Sequence, residues 1–313
     1  MGTKNIKSRQ TSGCIPRREF LNITGLGILG ASMLPAHVIS GFKNISSGEP
    51  ARAGLQLYTV RNEIKNNIGD TLHKIAGIGF EAVETAFWPE NISIKEAGKY
   101  LRDAGLAVSS AHVELPLGDK RDTMLEIAET FNCTKMIWHG WPEDKRYSTF
   151  EGTKELVDIY NEASHFAKLN GLEFGLHNHW WEYRNKVNGR YVYQVLLDSV
   201  APDIFFEIDT YWVKVAGHDP AKIVAEFGQR APLLHIKDGP ARWSDSLPKD
   251  NPEPMVAVGQ GTQNFPAIVN AAKAYTEWMI VEMDVTATDV FVAIRDSYNY
   301  LVRNGLAKGK KGV

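Results

Sequence analysis

Leu234-His235-Ile236-Lys237-Asp238 and Val281-Glu282-Met283-Asp284 are short apolar strands that each deliver ionisable groups at the carboxyl end, and Phe206-Glu207-Ile208-Asp209-Thr210-Tyr211-Trp212 follows the same plan. Outward from these three, the pattern recurs along the chain. Strand-like runs at 53–58, 82–85, 107–112, 135–138, 173–178, 204–208, 233–236 and 278–282 alternate with stretches of helical period. The helical stretches are clearest at 70–78, 94–104, 120–131, 151–170, 265–274 and 287–303, with shorter ones at 193–200 and 220–227. Gly79, Gly105 and Gly171 stand just past three of them, where a left-handed residue closes a helix. Eight strand-helix units predict an α/β fold of the closed (β/α)8 TIM barrel kind, and 313 residues suit one such barrel.

The predicted organisation is a leader and linker over 1–50, a catalytic barrel over 51–304 and a basic tail over 305–313. Pro16-Arg17-Arg18-Glu19-Phe20-Leu21 precedes an apolar run, Ile23 to Leu34, that is too short to span a bilayer. It resembles a twin-arginine export signal, which implies a periplasmic protein or one retained by its anchor. No run of about 20 apolar residues follows residue 50, so no stable membrane span is expected in the mature chain. With Cys14 and Cys133 as the sole cysteines, a processed chain has no pair to join. The formal net charge of −2 provides no basic surface for wrapping a polyanion, which disfavours nucleic acid as a partner.

In a barrel of this kind the carboxyl ends of the strands gather at one mouth, and chemistry collects there. Strand ends bring Gln56 and Tyr58, Glu84, His112, Trp138 and His139, His177-Asn178-His179, Asp209, His235 with Lys237, and Glu282 with Asp284 to that rim. Charge placed there costs several kcal/mol unless it is paired or bound to a metal. Asp209, His235 and Glu282 close three successive strands, and nitrogen with oxygen donors and no thiolate suits one divalent metal: Mn, Co, Mg or Zn. Each residue also has a plainer reading: a rim histidine, a loop-capping Asp209, or a Glu282 paired with Lys237.

Seven of the eight tryptophans, Trp88, Trp138, Trp141, Trp180, Trp181, Trp212 and Trp243, fall at or just after a strand's carboxyl end. Aromatic faces there match the C–H faces of a pyranose, with Gln56, Tyr58, Asn178 and Glu182 available for hydroxyls, so a small carbohydrate is the expected substrate. The alternative is that these rings fill satellite cores under long loops. Gly259-Gln260-Gly261-Thr262 is the one Gly-rich stretch that could cradle a phosphate, but two glycines are too few for a phosphate-loop signature and a tight βα turn explains them better.

Leu176-His177-Asn178-His179, the three strands quoted above and Val258-Gly259-Gln260-Gly261-Thr262 make the chain resemble the sugar phosphate isomerase/epimerase superfamily, the xylose isomerase-like barrels that include keto-sugar 3-epimerases and inosose dehydratases. The resemblance covers about residues 53 to 303 and implies a metal set of His177, Asp209, His235 and Glu282. His177 stands where the epimerases have Glu, so the pair of opposed glutamates that epimerisation uses is incomplete here. One base still suffices for isomerisation or β-elimination beside a metal-polarised carbonyl. The His-Asn-His version of strand 5 looks like enzymes acting on 3-keto-glycosides, which points to a lyase. Glu282 is then the base, Lys237 the group that stabilises the oxyanion, and His179 and Glu182 alternative proton carriers or orienting groups. Competing expectations are a non-catalytic carbohydrate-binding barrel and an endonuclease-IV-like nuclease, and the latter lacks a basic groove. A homo-oligomer is allowed, although no exposed heptad or apolar stripe argues for one.

Overall fold

The structure is a computed structural model that describes residues 50–244 and 253–310. The leader, its cleavage region and the last residues of the tail lie outside the described residues. Eight strands form one closed parallel barrel: β1 (Arg52–Gln56), β2 (Ala82–Thr85), β3 (Ala107–Val113), β4 (Lys135–Trp138), β5 (Glu173–His177), β6 (Phe205–Asp209), β7 (Leu233–Ile236) and β8 (Trp278–Val281). Each strand pairs with its sequence neighbour in the barrel, and β8 closes on β1 through Arg52↔Trp278 to Leu55↔Val281. The predicted fold is the one observed, with strand limits moved by one or two residues.

Helices wrap the outside. Ser93 and Glu96 form a reciprocal capping box on helix Ile94–Asp103, and Thr149 caps helix Phe150–Leu169, which buries Leu156, Val157, Tyr160, Ala163 and Ala167 at helical spacing against the sheet. Strand β1 stops at Gln56 rather than 58, because the Gln56 side chain accepts the Tyr58 N–H and turns Leu57–Val60 into a 3-10 turn. Helices Arg61–Asn66, Trp181–Arg184 and Thr210–Val215 were not expected, being too short to establish a period. Nor is the start of the basic tail free: Lys308 exchanges backbone hydrogen bonds with Ala51 and Ala53, and Ala307 is buried. Among the described residues no helix is long and apolar enough to cross a membrane.

Inside the barrel the pleat sorts residues by height, since alternate residues of every strand point inward. Phe205, Leu233 and Ile280, with Ile137, form an apolar plug separate from the main core, with Trp278 packed against it. Gly175 belongs to this level, where a Cβ would lie 2.2 Å from the Phe205 ring. Two residues further along the same strands stand Glu207, His235 and Glu282, so the barrel axis turns from apolar to ionisable toward the carboxyl ends. That change of polarity along one axis positions the site.

Candidate active site

Strand register brings the site together. Asp209 is the Cα partner of His235, His235 that of Ile280, and His177 that of Glu207. One ligand atom from each of His177, Asp209, His235 and Glu282 lies within 4.8 Å of the others, and all four residues are buried. His177 Nε2 is 3.0 Å from His235 Nδ1 and 3.6 Å from Asp209 Oδ2, and His235 Nδ1 is 2.7 Å from Glu282 Oε2.

Local structure prepares each donor. Asp209 Oδ1 caps helix Thr210–Val215 by accepting the Tyr211 and Trp212 N–H groups at 2.9 and 3.0 Å, which aims Oδ2 elsewhere. Loop-capping and cluster membership, alternatives in the sequence, are thus divided between the two oxygens. His177 Nδ1 lies 3.2 Å from the His139 carbonyl, which can only accept, so the proton sits on Nδ1 and Nε2 keeps its lone pair. Asp209 Oδ2 and Glu282 Oε2 are buried without a hydrogen-bond partner. Two imidazole nitrogens and two such carboxylate oxygens at one point fit a divalent cation.

Lys237 is the counter-charge at this point. Its ammonium, 1 % exposed, lies 2.9 Å from Asp209 Oδ2, 2.8 Å from Glu282 Oε2 and 2.9 Å from Asp284 Oδ2, with proper hydrogen-bond geometry to Asp284 alone. Burial works against its charge, but the three carboxylates outweigh it and hold the amine well above the usual lysine range. Burial likewise opposes ionisation of Glu282, and Lys237 with His235 overcomes it, holding that carboxyl well below its usual range. Lys237 is therefore a fixed cation and no proton acceptor.

Below this point lies a second polar layer. His235 Nε2 is 2.7 Å from Glu84 Oε1 and 3.2 Å from Glu207 Oε2, while His112 Nε2 is 2.7 Å from Glu207 and 3.1 Å from Glu84. Gln56 donates to Glu84 Oε1 at 2.6 Å, and Ser110 donates to Oε2. Glu84, Gln56 and His112 were expected to meet substrate. Glu84 and Gln56 are instead wholly buried, and His112 is tied to both carboxylates, because their inward register puts them beneath the mouth. Glu207 and Asp284 join these layers although their sequence context assigns them no role. The signal was present in the alternation, since Glu207 precedes Asp209 by two positions and Asp284 follows Glu282 by two.

On the β5 side, the His179 ring stacks on Trp181 with centroids 4.3 Å apart, and its Nδ1 is buried without a partner. Burial first, then the neighbouring Lys237 ammonium, holds His179 well below the usual histidine range, so its ring is neutral. Glu182 accepts the His179 backbone N–H at 3.0 Å, an orienting contact, and burial pushes its carboxyl up to about 8. Asn178 does not offer its amide to a ligand: it accepts the Asp209 N–H at 3.0 Å and donates toward the Asp209 and His179 carbonyls, pinning strand end to strand end.

The aromatic rim is divided. Trp181 is fully buried with a face covered by His179, and Trp212 is buried too, so these two follow the satellite-core reading, although both indole N–H groups lack a partner. Trp138, Trp141, Trp180 and Trp88 are half-buried, and Trp138 lies 4.2 Å from the His139 ring. Burial lowers His139 to about 3, which keeps it neutral. Tyr58 is half-buried under the Arg61 guanidinium at 4.0 Å. The glycine-rich loop is not a phosphate cradle, since Asp238 takes its amides: Oδ2 accepts from Gly259 and Gly261 at 3.0 and 2.9 Å, and Oδ1 from Gly239 and Gln263 at 2.9 and 3.1 Å. A Cβ on Gly261 would lie 2.2 Å from Asp238 Oδ1, which is why glycine stands there.

A closed parallel barrel with an imidazole-carboxylate cluster at its carboxyl-end mouth defines a (β/α)8 TIM barrel. The chain belongs to the xylose isomerase-like TIM barrel family, whose model matches residues 72–301. Among solved structures, two sugar phosphate isomerase/epimerases from Parabacteroides distasonis are similar. One is 22 % identical with a TM-score of 0.68, covering 88 % of this chain and 100 % of that one. The other is 24 % identical with a TM-score of 0.66, covering 82 % and 100 %. A D-allulose 3-epimerase from Methylomonas sp. is 15 % identical with a TM-score of 0.57, covering 82 % of this chain and 98 % of that one. At these identities the likeness is one of fold. No curated protein matched the chain.

Proposed function

We propose that this protein is a divalent-metal-dependent enzyme that enolises a keto-sugar by removing a C–H proton beside its carbonyl. The observation that carries the reading is the meeting of His177, Asp209, His235 and Glu282 at one buried point, where Asp209 Oδ2 and Glu282 Oε2 are ion-paired with Lys237 but accept no hydrogen bond. These four residues would hold the metal. When bound, it supplies Lewis-acid polarisation of the carbonyl.

The chain's own residues supply the rest. Glu282, ionised and at the mouth, or the neutral His179 takes the proton, and the C–H electron pair moves toward the carbonyl oxygen. Lys237, a permanent cation beside Glu282, offsets part of the negative charge that develops. The enediolate then collapses by reprotonation, giving isomerisation or epimerisation, or expels a glycosidic oxygen from the β-carbon, giving elimination. A single neutral base on the β5 side favours the elimination branch, a 3-keto-glycoside lyase. Engagement of the Gly259 and Gly261 amides by Asp238 favours an unphosphorylated sugar. The twin-arginine-type leader supports export to the periplasm, which fractionation of cells expressing the full chain tests.

Proton NMR in D2O with a 3-keto-glucoside, and in parallel with free ketoses, tests the reading on metal-loaded and metal-stripped protein. Deuterium entering beside the carbonyl in the loaded protein alone establishes enolisation, and aglycone release with it identifies the lyase. Absence of both with every sugar, together with binding that survives Glu282→Gln, makes the barrel a carbohydrate-binding protein and ends the catalytic reading.

A further inference from the structure

We infer that Glu84, backed by the Glu207–His112 pair, is a positioning residue that keeps a proton on His235 Nε2 and so dedicates His235 Nδ1 to the metal point. The inference rests on the metal reading proposed above. It concerns a layer to which that reading assigns nothing.

His235 belongs to both polar layers. Its Nδ1 faces His177, Asp209 and Glu282, and its Nε2 faces Glu84 Oε1 at 2.7 Å and Glu207 Oε2 at 3.2 Å. An ionised carboxylate accepts hydrogen bonds and donates none, so two of them against one ring nitrogen require that nitrogen to carry the proton. Glu282 Oε2, 2.7 Å from Nδ1, favours a proton there as well in the metal-free ring, so a metal displaces the Nδ1 proton while Glu84 retains the one on Nε2.

Glu84 is built to hold still. Gln56 fixes Oε1 from strand β1 at 2.6 Å and Ser110 fixes Oε2 from strand β3, so the carboxylate is clamped from both neighbouring strands and is 0 % exposed. Glu207 Oε2 is engaged in turn by His112 Nε2 at 2.7 Å, which leaves Glu84 as the nearer acceptor for His235.

The lower layer could itself be read as a metal site, because one ligand atom from each of Glu84, His112, Glu207 and His235 also lies within 4.8 Å of the others. The partners separate the two layers. In the lower one the three carboxylate oxygens that face a nitrogen or hydroxyl all have hydrogen-bond partners, and Glu207 Oε1 alone is without one. In the upper one the facing oxygens of both Asp209 and Glu282 lack them. Protons satisfy the lower layer, whereas the upper carboxylates are balanced by charge alone, with the Lys237 ammonium beside both.

The test measures Zn²⁺ stoichiometry and affinity by chelator competition on the full chain, and the protonation of His235 by long-range proton–nitrogen NMR, assigned with a His235→Gln sample. Expected is one Zn²⁺ in the wild type and one in Glu84→Gln bound roughly 10–100-fold more weakly. Glu84→Asp, which keeps the charge but draws the acceptor back, falls between them. The wild-type spectrum has a proton on His235 Nε2 with and without Zn²⁺, and that readout needs no variant to fold. Equal affinity in wild type and Glu84→Gln, or a bare Nε2 in the wild type, overturns the inference. Two Zn²⁺ in the wild type and one in Glu84→Gln overturns it in favour of a lower metal site. A wild type that takes up no Zn²⁺ but keeps the Nε2 proton defeats the metal reading and leaves the tautomer assignment standing.

Discussion

Lys237 Nζ lies 2.8 Å from Glu282 Oε2 in a place where the amine is 1 % exposed, so a fixed cation is shared with the oxygen that the metal reading needs. Replacing Lys237 with Met leaves Asp209, Glu282 and Asp284 without their common counter-charge. Breaking a buried pair from one side costs about 3–5 kcal/mol. Urea unfolding of metal-free Lys237→Met is expected to fall by that order, and saturating divalent metal is expected to restore part of the loss. A drop under about 1 kcal/mol would mean that the ammonium is not needed for charge balance.

Metal itself should raise stability. A cation that binds the folded chain alone, at 100 times its dissociation constant, contributes about 2.7 kcal/mol. Thermal unfolding with and without EDTA measures this. Asp209→Asn and Glu282→Gln each remove one charged donor and are expected to abolish most of the metal-dependent rise. An identical rise in both variants places the ion elsewhere.

Glu182 predicts a pH dependence of a particular sign. Burial raises its folded carboxyl to about 8 from an ordinary 4.5, so the folded chain holds a proton that the unfolded chain releases. Its contribution to stability is complete below about pH 4.5 and is lost as pH rises toward 8. Glu182→Gln keeps an acceptor for the His179 N–H and carries no charge. Stability curves from pH 5 to 8 should therefore converge at the acid end, with the variant the more stable by a few kcal/mol at the alkaline end. Parallel curves would remove Glu182 as a titrating group.

Asp238 holds four backbone N–H groups from Gly239, Gly259, Gly261 and Gln263. Asp238→Ala strands those donors and should cost about 2–4 kcal/mol, each buried unsatisfied group being worth about 1–3 kcal/mol and water recovering some of them. Equilibrium denaturation reads the loss. Asp238→Asn, which keeps one acceptor oxygen, should lose less.

Much of the fold was legible because a β/α repeat is written locally. Apolar runs such as Met279 to Val281 announce strands, Gly79, Gly105 and Gly171 announce helix ends, and eight such units leave closure as the natural arrangement. Position at a strand's carboxyl end then picked out Asp209, His235 and Glu282, because backbone direction alone fixes which end of a parallel strand reaches the mouth. The short helices Trp181–Arg184 and Thr210–Val215 were not legible, since a single turn has no period to read.

The sequence by itself determined the barrel and which strand ends carry ionisable groups. The tertiary structure decided their depth and their partners. Inward-facing residues of parallel strands are buried on both faces of the sheet, so hydrophobicity does not distinguish a layer below the mouth from the mouth itself. Glu84 and Gln56 therefore read as rim residues and lie beneath it, Trp181 reads as a sugar platform and lies under His179, and Asp238 holds Gly259 and Gly261 in the turn that the two glycines suggest. The depth of Glu84 depends on contacts between strands far apart in the chain, such as that with His235, and such distances are set only when the barrel closes.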